Sequence, residues 1–219
     1  MLEAVGVIHD EKIVHSDLKP ANFVLVKGRL KLIDFGIANA IANDTTNIQR
    51  DNQVGPYTST MRHTDTPIEQ IGTVNYMSPE AIEVPVGMSR WKIGRASDVW
   101  SLGCIFYQMV YGAPPFQAYN MHQKMRIIPD DSWKIQYPDV SVPIIKNQSG
   151  QPENDEKNSV PVPACFIATM QRCLERDPKK RATIPELLAE EWVNTVPATR
   201  ESMVASRIAL LTPVRRNTS

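Results

Sequence analysis

IVHSDLKPANFVLV, residues 13–26, is the stretch on which the reading of this sequence turns. Between His15 and Asn22 it sets a carboxylate (Asp17), an ammonium (Lys19) and an amide (Asn22). A carboxylate accepts or orients a hydroxyl proton, an ammonium neutralises phosphate charge, and an amide oxygen is a hard ligand for Mg²⁺. NFVLVKGRLKLI continues the stretch with alternating apolar residues on both sides of Lys27-Gly28, and predicts a hairpin ending at Asp34-Phe35-Gly36. Asp34 adds a second metal-binding carboxylate. Hard oxygen ligands beside one lysine are what phosphoryl transfer requires, because positioning and charge neutralisation supply most of its catalysis. Either motif alone also fits a charged surface loop or an acidic turn. The two together, joined by a hairpin, favour the chemical reading.

Working outward, 219 residues suffice for one well-packed domain. The formal net charge is zero, which argues against nucleic acid or a membrane surface as partner. Cys104, Cys165 and Cys173 form no Cys-x-x-Cys pair and fall in apolar helical contexts, so buried free thiols in a reducing compartment are expected. No apolar run is long enough to span a bilayer, and the N-terminus lacks the basic region of a signal peptide, so an intracellular location with no visible targeting signal is expected. Residues 1–9 predict the last turns of a helix. Ala96 to about Tyr111 predicts a helix apolar on nearly every face, which belongs in the middle of a core. Asp98 near its start needs either a partner or the helix dipole to explain it. Cys165 to about Arg176 reads as an amphipathic helix stopped by Asp177-Pro178, and Thr183-Ile184-Pro185-Glu186 as a capping box opening IPELLAEEWV. Residues 140–162 are polar and proline-rich and predict a flexible insertion; 194–219 predict a short solvated tail.

His15-Ser16-Asp17-Leu18-Lys19-Pro20-Ala21-Asn22, Asp34-Phe35-Gly36 and Ser78-Pro79-Glu80 resemble the protein kinase motifs HRDLKxxN, DFG and APE, in the expected order. SDVWSLGCIFYQMVYGAPPF and RCLERDPKKRATIPELL resemble later helices of the large kinase lobe. LKLIDFGIANAI, DTT, QVG and GTVNYMSPEAI resemble the TTK family of dual-specificity kinases of the spindle checkpoint. The fold class implied is mainly α: a kinase C-terminal lobe with a small β-hairpin over residues 1–193, from an α+β kinase fold whose N-terminal lobe is missing. Within it, the resemblance implies a catalytic loop at 13–26 and an activation segment at 34–80.

The same resemblance implies the roles. Asp17 would accept or orient the substrate hydroxyl, Lys19 would steady the transferred phosphoryl group, and Thr73 would bridge the two. Asn22 and Asp34 would hold Mg²⁺, and Val24 and Ile33 would line the ATP site, plain strand packing being the alternative for these two. His15 and Phe35 would stack between the lobes, Asp98 would hold the catalytic loop's backbone, and Glu80 and Arg181 would form a buried ion pair. The implied partners are protein substrates phosphorylated on serine or threonine, with tyrosine left open, and kinetochore proteins; the implied location is the nucleus and kinetochore.

Two departures qualify the resemblance. Ser16 stands where most kinases carry Arg, and a hydroxyl cannot make that residue's bidentate contact with an activation-segment phosphate. Phosphorylation of Thr45 or Thr46 would therefore act through another cation; Arg50 and Arg62 are available and nothing in the sequence selects either. The chain also contains no Gly-rich phosphate loop, no V-A-I-K-type lysine and no helix glutamate to pair with it. It reads either as an enzyme lobe separated from its small lobe or as a non-catalytic docking or dominant-negative module; the presence of Asp17, Lys19, Asn22 and Asp34 together favours the enzyme.

Excising Pro56–Gly72 from QVGPYTSTMRHTDTPIEQIGTVNYM leaves QVGTVNYM, the string the family resemblance implies. The 17 residues are either a Thr/Ser-rich regulatory insert or the translation of a retained intron. Their 51 nucleotides would stay in frame, and Ile71-Gly72 and Thr64-Asp65 admit codons spelling an intron end and a branch point, so the intron is favoured. With no upper clamp on the phosphates, the 219-residue polypeptide alone is expected to bind ATP·Mg²⁺ more weakly than ~1 μM, about −8 kcal/mol. Calorimetry checks this; affinity at that level or tighter contradicts it.

Overall fold

The computed structural model describes residues 1–34, 39–40, 47–49, 74–82, 92–146, 150 and 152–195. The interruption at 56–72 and the tail beyond 195 lie outside them.

Helix α1 (Leu2–Asp10) buries Leu2, Val5, Ile8 and His9 on one face. It leads into β1 (Ile13–Val14) and the catalytic loop, then the hairpin of β2 (Phe23–Val26) and β3 (Arg29–Leu32), paired Phe23↔Leu32 through Val26↔Arg29. Lys27 and Gly28 both take positive φ, 50° and 75°, as a two-residue turn twisted like its strands requires. Strand β4 (Asn39–Ala40) returns to pair with β1, and β5 (Asn47–Gln49) pairs antiparallel with β6 (Lys92–Gly94). Between them lies the short helix α2 (Pro79–Ile82).

The centre of the lobe is α3 (Arg95–Tyr111). Its Val99, Leu102 and Ile105 join Leu2, Val5, Leu18, Ile184 and Leu187 in one core cluster. Trp100 and Cys104 join Val74, Ile82, Phe116, Ile128 and Leu174 in a second. Two cores on two faces explain a helix that is apolar nearly all round. Gly112, at φ 87°, caps it in the left-handed conformation, its N–H bonded to Gln108 O at 2.8 Å. Then come α4 (Met121–Ile127), a β-ribbon, α5 (Ala164–Cys173), α6 (Ile184–Leu188) and α7 (Glu191–Thr195). The capping box forms: Thr183 N and Oγ1 both donate to Glu186 Oε2, at 2.7 and 3.0 Å.

Three sequence expectations change. Within 140–162 the described residues include paired backbone: β7 (Val140–Ser141) with β10 (Val160–Pro161), and β8 (Ile144–Lys146) with β9 (Pro152–Asn154). Main-chain bonds form this ribbon while Val140, Ile144, Ile145 and Val160 stay exposed, which is why no buried-face pattern announces it. Helix α5 ends at Cys173, short of Arg176, whose guanidinium turns away to donate to the Ile127 and Ile128 carbonyls. Cys104 and Cys173 are buried, and burial pushes both thiols up, Cys173 to about 12, but Cys165 is exposed. Among the described residues no helix is long and apolar enough to cross a membrane.

Gly103 lets α3 and α5 touch. A Cβ there would sit 2.7 Å from Cys173 Cβ and 2.9 Å from Leu174 Cγ. Gly103→Ala is expected to destabilise by ~1–3 kcal/mol, read as a lower thermal midpoint on scanning calorimetry, at about 2–4 °C per kcal/mol.

Candidate active site

Lys19 is extended, at φ −151° and ψ 163°, and successive side chains of an extended chain face opposite sides. Leu18 therefore enters the core, 1% exposed, while Asp17 and Lys19 share the outer side. There Lys19 Nζ donates to Asp17 Oδ2 at 3.0 Å. Pro20 opens a 3₁₀ turn over Pro20–Asn22 that folds Asn22 back on Lys19: Lys19 N donates to Asn22 Oδ1 at 2.9 Å, and Asn22 N to Lys19 O at 3.0 Å. β2 follows directly after Asn22. Ile33 N donates to Asn22 O at 2.7 Å, one step beyond the Phe23↔Leu32 pair, so the ladder brings the backbone of Asp34's neighbour onto Asn22. That register sets the backbone just before Asp34 beside Asn22 at the hairpin's open end.

The loop is held from below by Asp98 in the first turn of α3. Its carboxylate, fully buried, accepts from His15 N at 2.9 Å, Ser16 N at 2.8 Å and His9 Nε2 at 2.8 Å. Ser16 sits at φ 70° and Asp34 at φ 64°, a region costing a non-glycine residue of order 1–3 kcal/mol that persists only where surroundings enforce it. The bond from Ser16 N to Asp98 is part of that enforcement. Asp98 thus does what the resemblance implied, through partners 82 and 83 residues away. His9 was not foreseen: a single histidine at the end of a short helical pattern carries no signal of a buried acceptor.

Below the loop that would receive a substrate chain, Glu80 and Arg181 make the expected pair. Arg181 Nη1 and Nη2 bond Glu80 Oε1 and Oε2 at 2.7 and 2.9 Å, and its other donors reach the Glu175, Ala96 and Arg176 carbonyls. All five N–H groups are used. The guanidinium also stacks 5.2 Å from the Trp100 ring centroid. Burial alone would raise the Glu80 carboxyl, but its hydrogen bond and attraction to Arg181, with Ser97 Oγ donating at 2.8 Å, hold it below the ordinary value. The turn Val74–Tyr76 is tied to α3 by Ser101 Oγ donating to Tyr76 O at 2.7 Å and by Tyr76 Oη donating to Gln108 Oε1 at 2.6 Å. Burial pushes the Tyr76 phenol up to about 12.

Of the anticipated nucleotide contacts, Val24 is half-buried in the hairpin opposite Lys31, and Ile33 is 41% exposed. His15 is buried. Thr73, Phe35, Thr45, Thr46, Arg50 and Arg62 lie outside the described residues.

The protein kinase domain family matches residues 1–193. The chain belongs to the protein kinase family. It is 49% identical over 203 residues to the serine/threonine-protein kinase mph1 of Schizosaccharomyces pombe, covering 90% of this chain and 27% of that protein. It is 42% identical over 202 residues to the serine/threonine-protein kinase MPS1 of Saccharomyces cerevisiae, covering 88% and 22%. With the dual specificity protein kinase TTK of Mus musculus it shares 44% over 203 residues, covering 90% and 19%. The chain spans about a quarter or less of the length of these curated relatives. Protein kinases use ATP with Mg²⁺. The donor types fit that ion: Asn22 carries an amide oxygen and Asp34 a carboxylate, and Mg²⁺ takes one or two protein oxygens alongside substrate phosphates and water.

Arg181→Met would strand the Glu80 charge, and a loss of ~3–5 kcal/mol on denaturant unfolding is expected. Because the folded carboxyl titrates below its unfolded value, the pair's contribution is present above the unfolded pKa and lost as pH falls through the folded one. The stability of the unmutated chain should therefore fall on that acid limb, and Glu80→Gln should flatten the dependence.

Proposed function

We propose that this chain is the C-terminal lobe of an ATP-dependent protein kinase that transfers the γ-phosphoryl group to serine and threonine hydroxyls of protein substrates. The observation that carries the reading is the strained catalytic loop: Asp17 and Lys19 face outward together, Asn22 is turned back beneath them, and Asp98 anchors the whole. Asp17 orients the acceptor hydroxyl and takes its proton as the new oxygen–phosphorus bond forms. Lys19, paired with Asp17 at 3.0 Å, is free to shift onto the transferred phosphoryl group, because an ion pair still partly open to water is worth only ~0–1 kcal/mol. Asn22 and Asp34 would hold Mg²⁺, which when bound neutralises phosphate charge. Thr73 would bridge Asp17 and Lys19, and Val24 and Ile33 would line the nucleotide. The turn Val74–Tyr76 would seat the substrate chain.

Tyrosine acceptors stay within the proposal, since relatives include a dual specificity kinase. The likeness to MPS1 and TTK kinases supports a place in mitotic checkpoint signalling, with kinetochore proteins as partners and a nuclear and kinetochore location.

The test uses the full-length kinase. Asp17→Asn should lower kcat by about 10²–10⁴-fold while nucleotide affinity stays within a few-fold. Asp34→Asn should in addition weaken Mg²⁺-dependent nucleotide binding. Equal loss of nucleotide affinity in both variants would mean the two roles are wrongly divided.

A further inference from the structure

Lys124 is buried, 4% exposed, on the stripe of α4 that Met121, Met125 and Ile128 turn toward the second core. Among the described residues no hydrogen bond and no carboxylate meets its ammonium, and burial pulls its pKa below the ordinary lysine value. The acids on either side along the chain are engaged elsewhere, Asp98 by His9 and the catalytic loop, Asp130 by Ser132. Glu80, just beyond the Val74–Tyr76 turn, is taken by Arg181. A buried ammonium is costly unless an anion comes to it. Its Nζ is not sealed, however: the stem is covered while the tip still touches water. Lys124 is thus a recessed cation that only an incoming group can meet.

Its helix adjoins the substrate-seating turn. α4 packs against Val74–Tyr76, and Gln117, just ahead of α4, accepts from Asn75 Nδ2 at 2.9 Å. Asn120 caps α4, accepting from Gln123 N at 3.0 Å, which fixes the helical turn that leads into Lys124. The catalytic loop is pinned by Leu18 to the first core, whereas α4 is built into the second. The width of the turn therefore separates Lys124 from the acceptor's position. An extended chain advances ~3.3 Å per residue, so a side chain that reaches Lys124 stands about three residues or more from the acceptor.

We propose that Lys124 is a specificity-determining residue: it receives an anionic side chain of the protein substrate, about three residues or more from the acceptor hydroxyl. A carboxylate and a phosphomonoester share that chemistry, each offering oxygens to a donor that the fold leaves unused. A lysine or arginine at the same place in the substrate is rejected, because it would bring a second cation against one already short of a partner. The proposal rests on the kinase reading above and names a class of substrate for it.

The experiment uses full-length kinase as wild type, Lys124→Met, which keeps an unbranched apolar stem in the seam, and Lys124→Glu. Acceptor peptides carry glutamate, phosphoserine, glutamine or lysine at one flanking position at a time. The readout is the ratio of kcat/KM, anionic to glutamine peptide, within each variant, so that any loss of folded enzyme cancels. In wild type a ratio of about tenfold is expected at a position three or more residues from the acceptor, carried by KM with kcat unchanged. It should fall to about one in Lys124→Met, and Lys124→Glu should favour the lysine peptide instead. The larger of the glutamate and phosphoserine ratios names the source of the anion. An undiminished ratio in Lys124→Met overturns the proposal, as does an active wild type indifferent to charge at every position that far from the acceptor. If no form transfers phosphate, the kinase reading fails instead. Binding of the same peptides, read by fluorescence anisotropy, then still decides: equal affinity of wild type for anionic and glutamine peptides overturns the role of Lys124.

Discussion

The Asp98 carboxylate, buried at the N-terminal end of the central helix, takes three hydrogen bonds from residues of α1 and the catalytic loop. Removing it would leave three donors unsatisfied in the core and release a backbone held at an unfavourable φ. Hydrogen bonds to a charged acceptor contribute ~1.5–3 kcal/mol each, enough in sum to outweigh the strain at Ser16. Everything above the loop inherits its position from this contact. The outward pairing of Asp17 and Lys19 needs Leu18 pinned inward, and Leu18 is pinned because the chain on its N-terminal side is tied to α3.

A second anchor works on the other flank of α3. Glu80 and Arg181 join α2 to the segment before α6, while Ser97 and Ala96 of α3 bind the same cluster. Both anchors meet the first turn of one helix, one at Ala96 and Ser97 and the other at Asp98. The Asp17–Asn22 loop and the Val74–Tyr76 turn are therefore referred to one rigid element with a core on each side. Against these, the Asp17–Lys19 pair is weak and partly solvated. The division suits phosphoryl transfer, in which the frame stays fixed and the charged groups exchange partners.

Much of this was legible along the chain. The hairpin showed in alternation around Lys27-Gly28, α3 in its all-round apolarity, the capping box in its spacing, and the site in the order of three short motifs. Each is a local pattern, and local backbone geometry realises it. Less legible were the ribbon at 140–161, built from main-chain bonds, and the early end of α5, set by where Arg176 finds acceptors.

The sequence by itself determined which chemical groups are available: two carboxylates, one ammonium and one amide on a hairpin, and a serine where a guanidinium is usual. Only the tertiary structure decided what surrounds them. That His9 faces Asp98, that Arg181 spends every donor, and that Arg95 reaches the His9 carbonyl are contacts across tens of residues. No periodicity encodes such contacts, because they arise when separate elements pack against a shared helix and their leftover donors and acceptors must find one another.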